Sequence, residues 1–432
     1  MSSKFTYPFC YTPSAPIKLA AKRLCAKIDA DPQLHEIFSE GKMLGVLQIG
    51  DGTFLYAFSG LAGGRADVDG FVPPIYDFTA PHGYFRTQER IISECRDKAE
   101  KSRMSEELQN WLFRQYVVMN ARFEKKSIMD IFASRGLVPP GGTGDCAGPK
   151  LLQYAYMHKL RPIAMGEFWY GRSPRQEVRQ QGAFYPSCTG KCGPLLSFMM
   201  EGLEVETNPL DKVFEFEKEP EIIFEDEYII VVNKPYGMLS VRGKTGKISL
   251  EEYLCGLYGR EIFSCHRLDM DTAGLIVFAK TIECQTNIRS QFESRTVRKT
   301  YRAKLCPSLP GSRKLTQGHK AAICLPLMPD YYDRPRQMVC GEGKKAVTEY
   351  EVLDIFPDGT ADVRFTPLTG RTHQLRVHAA HTDGLGRPIL GDRLYGGNAF
   401  ELPGTDGHLH LLADSLSFIH PISKKELSFS II

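Results

Sequence analysis

The chain has 432 residues, more than one hydrophobic core ordinarily serves, so two domains or one domain with a large extension is the expectation. Hydrophobic residues make up 42% and charged residues 24%, which excludes a disordered or fibrous chain. A formal net charge of +3 is too small to signal a nucleic-acid partner by itself, so such a reading has to rest on local patches.

The opening stretch, MSSKFTYPFCYTPSAPIKLAAKRLCAKI, has no uninterrupted apolar core of a signal peptide. No run of about 18 apolar residues follows anywhere. A cytoplasmic protein is expected, with its twelve cysteines reduced and mostly buried.

Residues 41–80 alternate apolar runs (MLGVLQI, FLYAF) with glycine clusters, which predicts short strands and turns. From Thr87 to Ser134 there is no proline or glycine and charges of both signs are dense, which predicts one or two long helices. Between Cys95 and Glu107 the apolar positions are too few for a wide buried stripe, so this part should project into solvent. It is either an arm that touches a large partner or a plain solvated face.

The loop GLVPPGGTGDCAGPK leads into an apolar-periodic helix from about Lys150. A phosphate-cradling loop would end in Gly-Lys-Ser/Thr, whereas the order here is Gly148, Pro149, Lys150, Leu151, which excludes that class of NTPase. Cys188 and Cys192 have a spacing that a zinc site can use, with Cys146 as a third ligand and His158 as the nearest fourth candidate. Buried thiols without metal are the competing reading. VETNPLDKVFEFEKEPE is polar and acidic, and places a domain boundary near residue 211.

Beyond that boundary, EDEYIIVVNKPYGMLSV reads as a β-branched strand stopped at Lys234-Pro235, with Gly237 permitting a turn at the edge of a cleft. A helix at SLEEYLCGLY follows. In HRLDMDTAGLIVFAK, Asp269 lies on the loop entering a buried strand. An ionised carboxylate there is costly unless a cation is close. TGRTHQLRVHAAH offers one: read as a strand, it puts Gln374, Arg376 and His378 on one face and turns Leu375 and Val377 to the core. Arg376 would then pair with Asp269 in the bidentate manner that keeps a carboxylate ionised.

Between these motifs, Arg289, Arg295, Arg298, Lys299, Arg302 and Lys304 against Glu293 leave about five positive charges within residues 289–305. Tyr301 lies among them, as suits a nucleic-acid strand with a base to stack, though a solvated surface strand would look the same. His373, His378 and His381 match no common metal spacing. His266 is either a base beside Asp269 or a structural or RNA-contacting group, and Cys265 has no activating partner.

HRLDMDTAG resembles the HRLDxxTSG signature of the RluA-type pseudouridine synthases, and TGRTHQLRVHAAHTDGLGRPILGDRLYG resembles that family's second signature. VVNKPYGMLSV, VRKTYRAKL and HLHLLADSLSFIHP resemble its remaining blocks in the family's order, so the resemblance covers about residues 219–432. Ala273 departs from the usual serine. Residues 1–210 do not resemble the S4 RNA-binding domain of many relatives, but the long extension of another branch.

The resemblance implies a fold and a reaction. The fold is α+β, a mixed and mainly antiparallel sheet with flanking helices in residues 211–432. Residues 1–210 would be an α/β accessory region, β-rich at 41–80, with a helical arm at 87–134 and a cysteine-containing segment at 136–210. The reaction is isomerisation of uridine to pseudouridine in structured RNA, either large-subunit ribosomal RNA or transfer RNA. By resemblance Asp269 is the catalytic aspartate, Arg376 its partner, and Tyr301 the aromatic against the target base. Arg267 fills the gap left by the flipped nucleotide. His266, Arg295, Arg298, Lys299, Arg371 and His373 are expected to contact RNA. No metal or organic cofactor is needed for this chemistry, and a monomer is expected. The rival readings are an RNA-binding protein that keeps the scaffold without turnover, and a zinc-dependent module built on Cys146, Cys188 and Cys192.

Overall fold

The computed structural model describes residues 4–80, 82–174, 179–207, 219–243, 247–308, 312–331, 333–397 and 407–431. They fall into two units: residues 4–174 and 179–207 with the short stretch around Arg334, and the remainder from residue 219 onward. The expected boundary at residue 211 lies outside the described residues.

In the first unit, helices α1 (Ala15–Ala30) and α2 (Pro32–Phe38) precede a hairpin of β1 (Lys42–Ile49) and β2 (Phe54–Phe58). Residues 59–80 form turns and irregular chain, so the strands expected over 41–80 end at Phe58. Helices α3 (Tyr84–Glu94) and α4 (Lys98–Gln115) follow. Asp97 caps α4 by accepting from the backbone of Ala99 and Glu100. Residues 98–107 are exposed but for Met104, and α4 buries only Leu108, Leu112 and Phe113 near its end.

The long helical stretch expected to Ser134 is interrupted. After Gln115 the chain forms a second hairpin, β3 (Val117–Met119) with β4 (Lys125–Ser127), before the short α5 (Ile128–Ala133). The cause is local: β-branched Val117 and Val118 favour strand, and the Asn120 side chain accepts from the backbone of Arg122 and Glu124 to close the turn. Helix α6 (Ala147–Met157), β5 (Pro162–Tyr170), β6 (Phe184–Tyr185) and α7 (Cys192–Met199) complete the unit.

Its sheet has the order β2-β1-β5-β6 and is antiparallel throughout. Alternation along β1 sends Leu44 and Val46 toward α1 and α2, and Leu47 and Ile49 toward α6 and α7. Helix α6 lies so close that a Cβ on Gly45 would meet the Ala147 Cβ at 2.8 Å. Only glycine admits that packing.

The second unit opens with β7 (Glu221–Glu225), β8 (Ile229–Lys234), α8 (Leu250–Tyr258), β9 (Phe263–Ser264), β10 (Ala273–Ala279) and α9 (Ile282–Glu293). It continues through β11 (Arg298–Leu305), β12 (Lys320–Cys324), β13 (Leu327–Pro329), β14 (Gln337–Val339), β15 (Val347–Ile355), β16 (Ala361–Pro367), α10 (Gln374–Ala380), β17 (Leu411–Ile419) and β18 (Glu426–Ser430). The main sheet runs β12-β15-β16-β11-β17-β10-β8-β7, with β18 and β9 attached to β17 and β10. Every pairing is antiparallel except β10 with β17. The architecture is the mixed, mainly antiparallel α+β sheet expected.

Strand β8 is apolar on both sides because both sheet faces are covered. Ile230 and Val232 join a core with Leu250 and Leu254 of α8, while Ile229 and Val231 join Cys284 and Ile288 of α9. Each fully buried aliphatic side chain contributes about 1.5–3 kcal/mol. Helix α8 starts with a capping box between Ser249 and Glu252 and ends at Gly259 in the left-handed conformation. Among the described residues no helix is long and apolar enough to cross a membrane.

Candidate active site

A cavity of about 680 Å³ opens in the second unit between the loop before β10, the end of α9, strand β11 and the segment from Pro367 to Arg376. Asp269, Tyr301 and Arg376 line it, together with His266, Arg267, Arg295, Lys299, Arg371 and His373. Arg298 is not on its wall. Exposed at the start of β11, it pairs with Glu426 of β18 instead.

Asp269 is held by the chain that follows it. The Thr272 N–H donates to the Asp269 carbonyl at 3.0 Å, closing a turn just before β10. At Gly274, φ is +114° and a Cβ would come within 2.3 Å of the Ala413 carbonyl, so the parallel seam with β17 demands glycine there. Lys234 adds a second hold on that chain. Fully buried, its ammonium donates to the carbonyls of Pro235, Met238 and Met270 at 3.0, 2.7 and 3.1 Å. Three acceptors match the three N–H bonds of an ammonium. Burial pushes Lys234 down to about 7 against the opposing charges of Asp271 and Asp269. By sequence Lys234 marks only the end of a strand. A lysine closing a run of buried β-branched residues was the available signal.

The side chain of Asp269 is 22% exposed, and among the described residues its carboxylate accepts no hydrogen bond. His373 Nε2 is 4.0 Å from its Oδ2. Burial, and then the charge of Arg376, lowers His373 to about 4, so the ring is neutral at pH 7 and the contact is not an ion pair. The ring's other nitrogen, Nδ1, lies 2.9 Å from the Tyr395 hydroxyl, whose oxygen accepts from the Gln337 N–H at 2.7 Å. The two ring nitrogens thus face Tyr395 and Asp269 respectively.

Two expectations are corrected here. Residues 374–380 form α10, not a strand. Every residue of α10 is buried, so no exposed face was present to reveal a helical period, and alternation was read into a stretch that lacks it. The partner of Arg376 is also different. Its Nε and Nη2 donate to Asp392 at 2.8 and 2.6 Å, and its Nη1 is 3.8 Å from Asp271. Burial by itself would raise Asp392, but the Arg376 charge and hydrogen bonds hold it below the usual carboxylate range.

The remaining wall divides by role. Tyr301 is nearly buried, and burial followed by the charges of Asp269 and Asp414 raises its hydroxyl well above the usual range, keeping it protonated. His266 stacks on Phe292 and accepts the Val277 N–H at 3.2 Å; burial and then Lys299 lower it to about 3. A neutral ring already committed as acceptor braces β10 and supplies no charge. Lys299 is lowered by burial, its Nζ 5.5 Å from the Phe292 ring centroid. Arg371 donates to the Lys345 carbonyl, while the exposed Arg267 reaches Thr372 at 3.4 Å.

Residues 228–381 match the family described as RNA pseudouridylate synthase. A Haemophilus ducreyi protein named "Dual-specificity RNA pseudouridine synthase RluA" is 39% identical over 213 residues, which is 49% of this chain and 91% of that protein. The chain belongs to the RluA-type RNA pseudouridine synthases. A protein of the same name from Escherichia coli strain K12 is 40% identical over 215 residues, covering 48% of the synthase and 90% of the relative. The solved structure titled "Human RNA Pseudouridylate Synthase Domain Containing 1" is 24% identical, with a TM-score of 0.41, covering 53% of the synthase and 86% of that chain. The synthase therefore isomerises uridine to pseudouridine, and RNA is its substrate.

Proposed function

We propose that Asp269 carries the reaction and that the uridine lies in structured large-subunit ribosomal RNA or transfer RNA. The carboxylate acts close to the ribose, either at C1′ or on the 2′ proton, so that the N1–C1′ bond breaks. The freed uracil turns and bonds to C1′ through C5. The proton displaced from C5 leaves, N1 takes one up, and no oxidant or external group is consumed.

The observation that carries this reading is the difference between two aspartates. Asp392 is sealed and fully used by Arg376, whereas the Asp269 carboxylate faces a cavity of nucleoside size with its oxygens uncommitted. Tyr301 packs against the target base and, being protonated, assists the late proton transfer. Arg376 positions the loop, because it reaches Asp271 while clamped to Asp392. Arg267 at the surface fills the space the flipped nucleotide leaves. Arg295, Lys299 and Arg371 engage the RNA backbone, and His266 and His373 position the groups around it. The enzyme acts as a cytoplasmic monomer. That relatives are named dual-specificity supports testing both RNA classes.

The test is pseudouridine mapping of total RNA from cells lacking the gene, complemented with wild type or Asp269→Asn, alongside purified protein on ribosomal and transfer RNA transcripts. Discrete sites restored by wild type alone support the assignment. Turnover by Asp269→Asn on a transcript removes it.

A further inference from the structure

The residues that line the cavity all lie in the second unit, yet the first unit gathers three thiols. The sulfurs of Cys146, Cys188 and Cys192 all lie within 4.8 Å of one another. Separate elements bring them together: Cys146 is the N-cap residue of α6, Cys192 is the first residue of α7, and Cys188 sits on the loop between β6 and α7. A tetrahedral ion with metal–sulfur bonds of about 2.3 Å holds its sulfurs about 3.8 Å apart, so closure asks each side chain for less than about 1 Å. A disulfide would join two of the three and strand the last.

The backbone around the cluster is arranged to meet a ligand set of sulfurs. Helices α6 and α7 both begin at the cluster and direct their positive ends toward it. The Cys192 N–H donates to the Cys188 sulfur at 3.4 Å. An all-sulfur set selects a thiophilic ion and rejects magnesium or calcium. An iron–sulfur cubane attaches each cysteine to a different iron and spreads the sulfurs further than a shared ion does. His158, the fourth ligand suggested by sequence proximity, does not join. Its Nδ1 bonds the Tyr154 carbonyl at 2.9 Å and its ring stacks on Tyr154. Among the described residues no other His, Cys, Asp or Glu completes the group.

We propose that Cys146, Cys188 and Cys192 bind one zinc ion as three thiolates, tying the start of α6 to the start of α7 and leaving the fourth coordination position to water or an incoming ligand. Binding releases the proton of each of these cysteines that is still a thiol. The ion braces the core in which Leu151 and Leu152 of α6 meet Leu195 and Leu196 of α7.

The experiment is elemental analysis of the full chain, purified under reducing conditions without chelator and incubated with equimolar zinc. About one equivalent is expected. The Cys25→Ser control should keep it, and a Cys146→Ser/Cys188→Ser variant should lose it. Less than about a tenth of an equivalent in the wild type, or undiminished zinc in the double variant, overturns the proposal. Should the double variant not fold, cobalt titration of the wild type decides. Intense tetrahedral visible bands with thiolate-to-cobalt charge transfer, saturating at one equivalent, support the site. A faint octahedral spectrum without charge transfer overturns it.

Discussion

Arg376 and Asp392 form a two-pronged ion pair, Nε to Oδ2 and Nη2 to Oδ1, with side chains 2% and 0% exposed. The backbone N–H groups of Leu394 and Tyr395 also donate to Oδ1, so this carboxylate is fully consumed in holding α10 to the loop that follows it. Removing one partner strands a buried charge. Arg376→Ala should therefore lower unfolding stability by roughly 3–5 kcal/mol, read as a shifted urea midpoint. Replacing both partners with apolar residues should cost less than the single change.

Asp269→Asn should abolish product while stability stays within about 0.5 kcal/mol of wild type. The side chain makes no hydrogen bond among the described residues, so the fold has little to lose. Single-turnover assays and a denaturation curve on the same preparation check both halves, and RNA affinity should remain close to wild type.

His373 predicts an acid-side loss of stability. Its folded value near 4 lies below an ordinary 6.5, so between those pH values the unfolded chain binds the proton and the folded chain does not. Stability is complete above about 6.5 and declines as pH falls toward 4, by on the order of 3 kcal/mol from this residue. His373→Asn should flatten the difference between urea midpoints at pH 7 and pH 5. An unchanged slope would mean that this ring is not held neutral.

Lys234→Met should remove the donor to three carbonyls at once. Each acceptor left dry costs about 1–3 kcal/mol, and the loop carrying Asp269 should loosen through Met270. The expected result is a lower melting temperature together with a fall in kcat larger than any change in KM. A fall confined to KM would separate Lys234 from the positioning of Asp269.

Arg295 and Arg298, neighbours in the sequence, should behave differently. Arg295 lines the cavity, whereas Arg298 is paired with Glu426. Arg295→Glu should weaken RNA binding and flatten its salt dependence, while Arg298→Ala should leave both nearly unchanged. Fluorescence anisotropy across a salt series distinguishes them.

How legible this was in the sequence depended on whether a segment has one wet face or none. Helix α8 could be read because Ser249, Glu252 and Gly259 punctuate it, and β10 because LIVFA is short and uninterrupted. Helix α10 could not, since Leu375, Val377 and their neighbours are all buried and period carries no signal there. Asp392 was missed because its importance comes from a partner 16 residues away, not from its own neighbours. Asp269 stands out by its motif and lines the cavity, but the arginine the sequence offers it pairs with another carboxylate. The stretch from 87 to 134 was read from composition alone, which cannot register a turn held by one asparagine side chain.

The seam between Gly274 and Ala413 also bears on synthesis. Strand β10, which anchors the Asp269 loop, has β8 on one side and β17 on the other, and β17 begins at Leu411. A nascent chain can pair β10 with β8 early, but it lacks the other flank until more than 130 residues later. Contacts of such sequence separation form slowly. The ribosome therefore releases most of this domain before the Asp269 loop is held in place, so unfinished chains should emerge without activity.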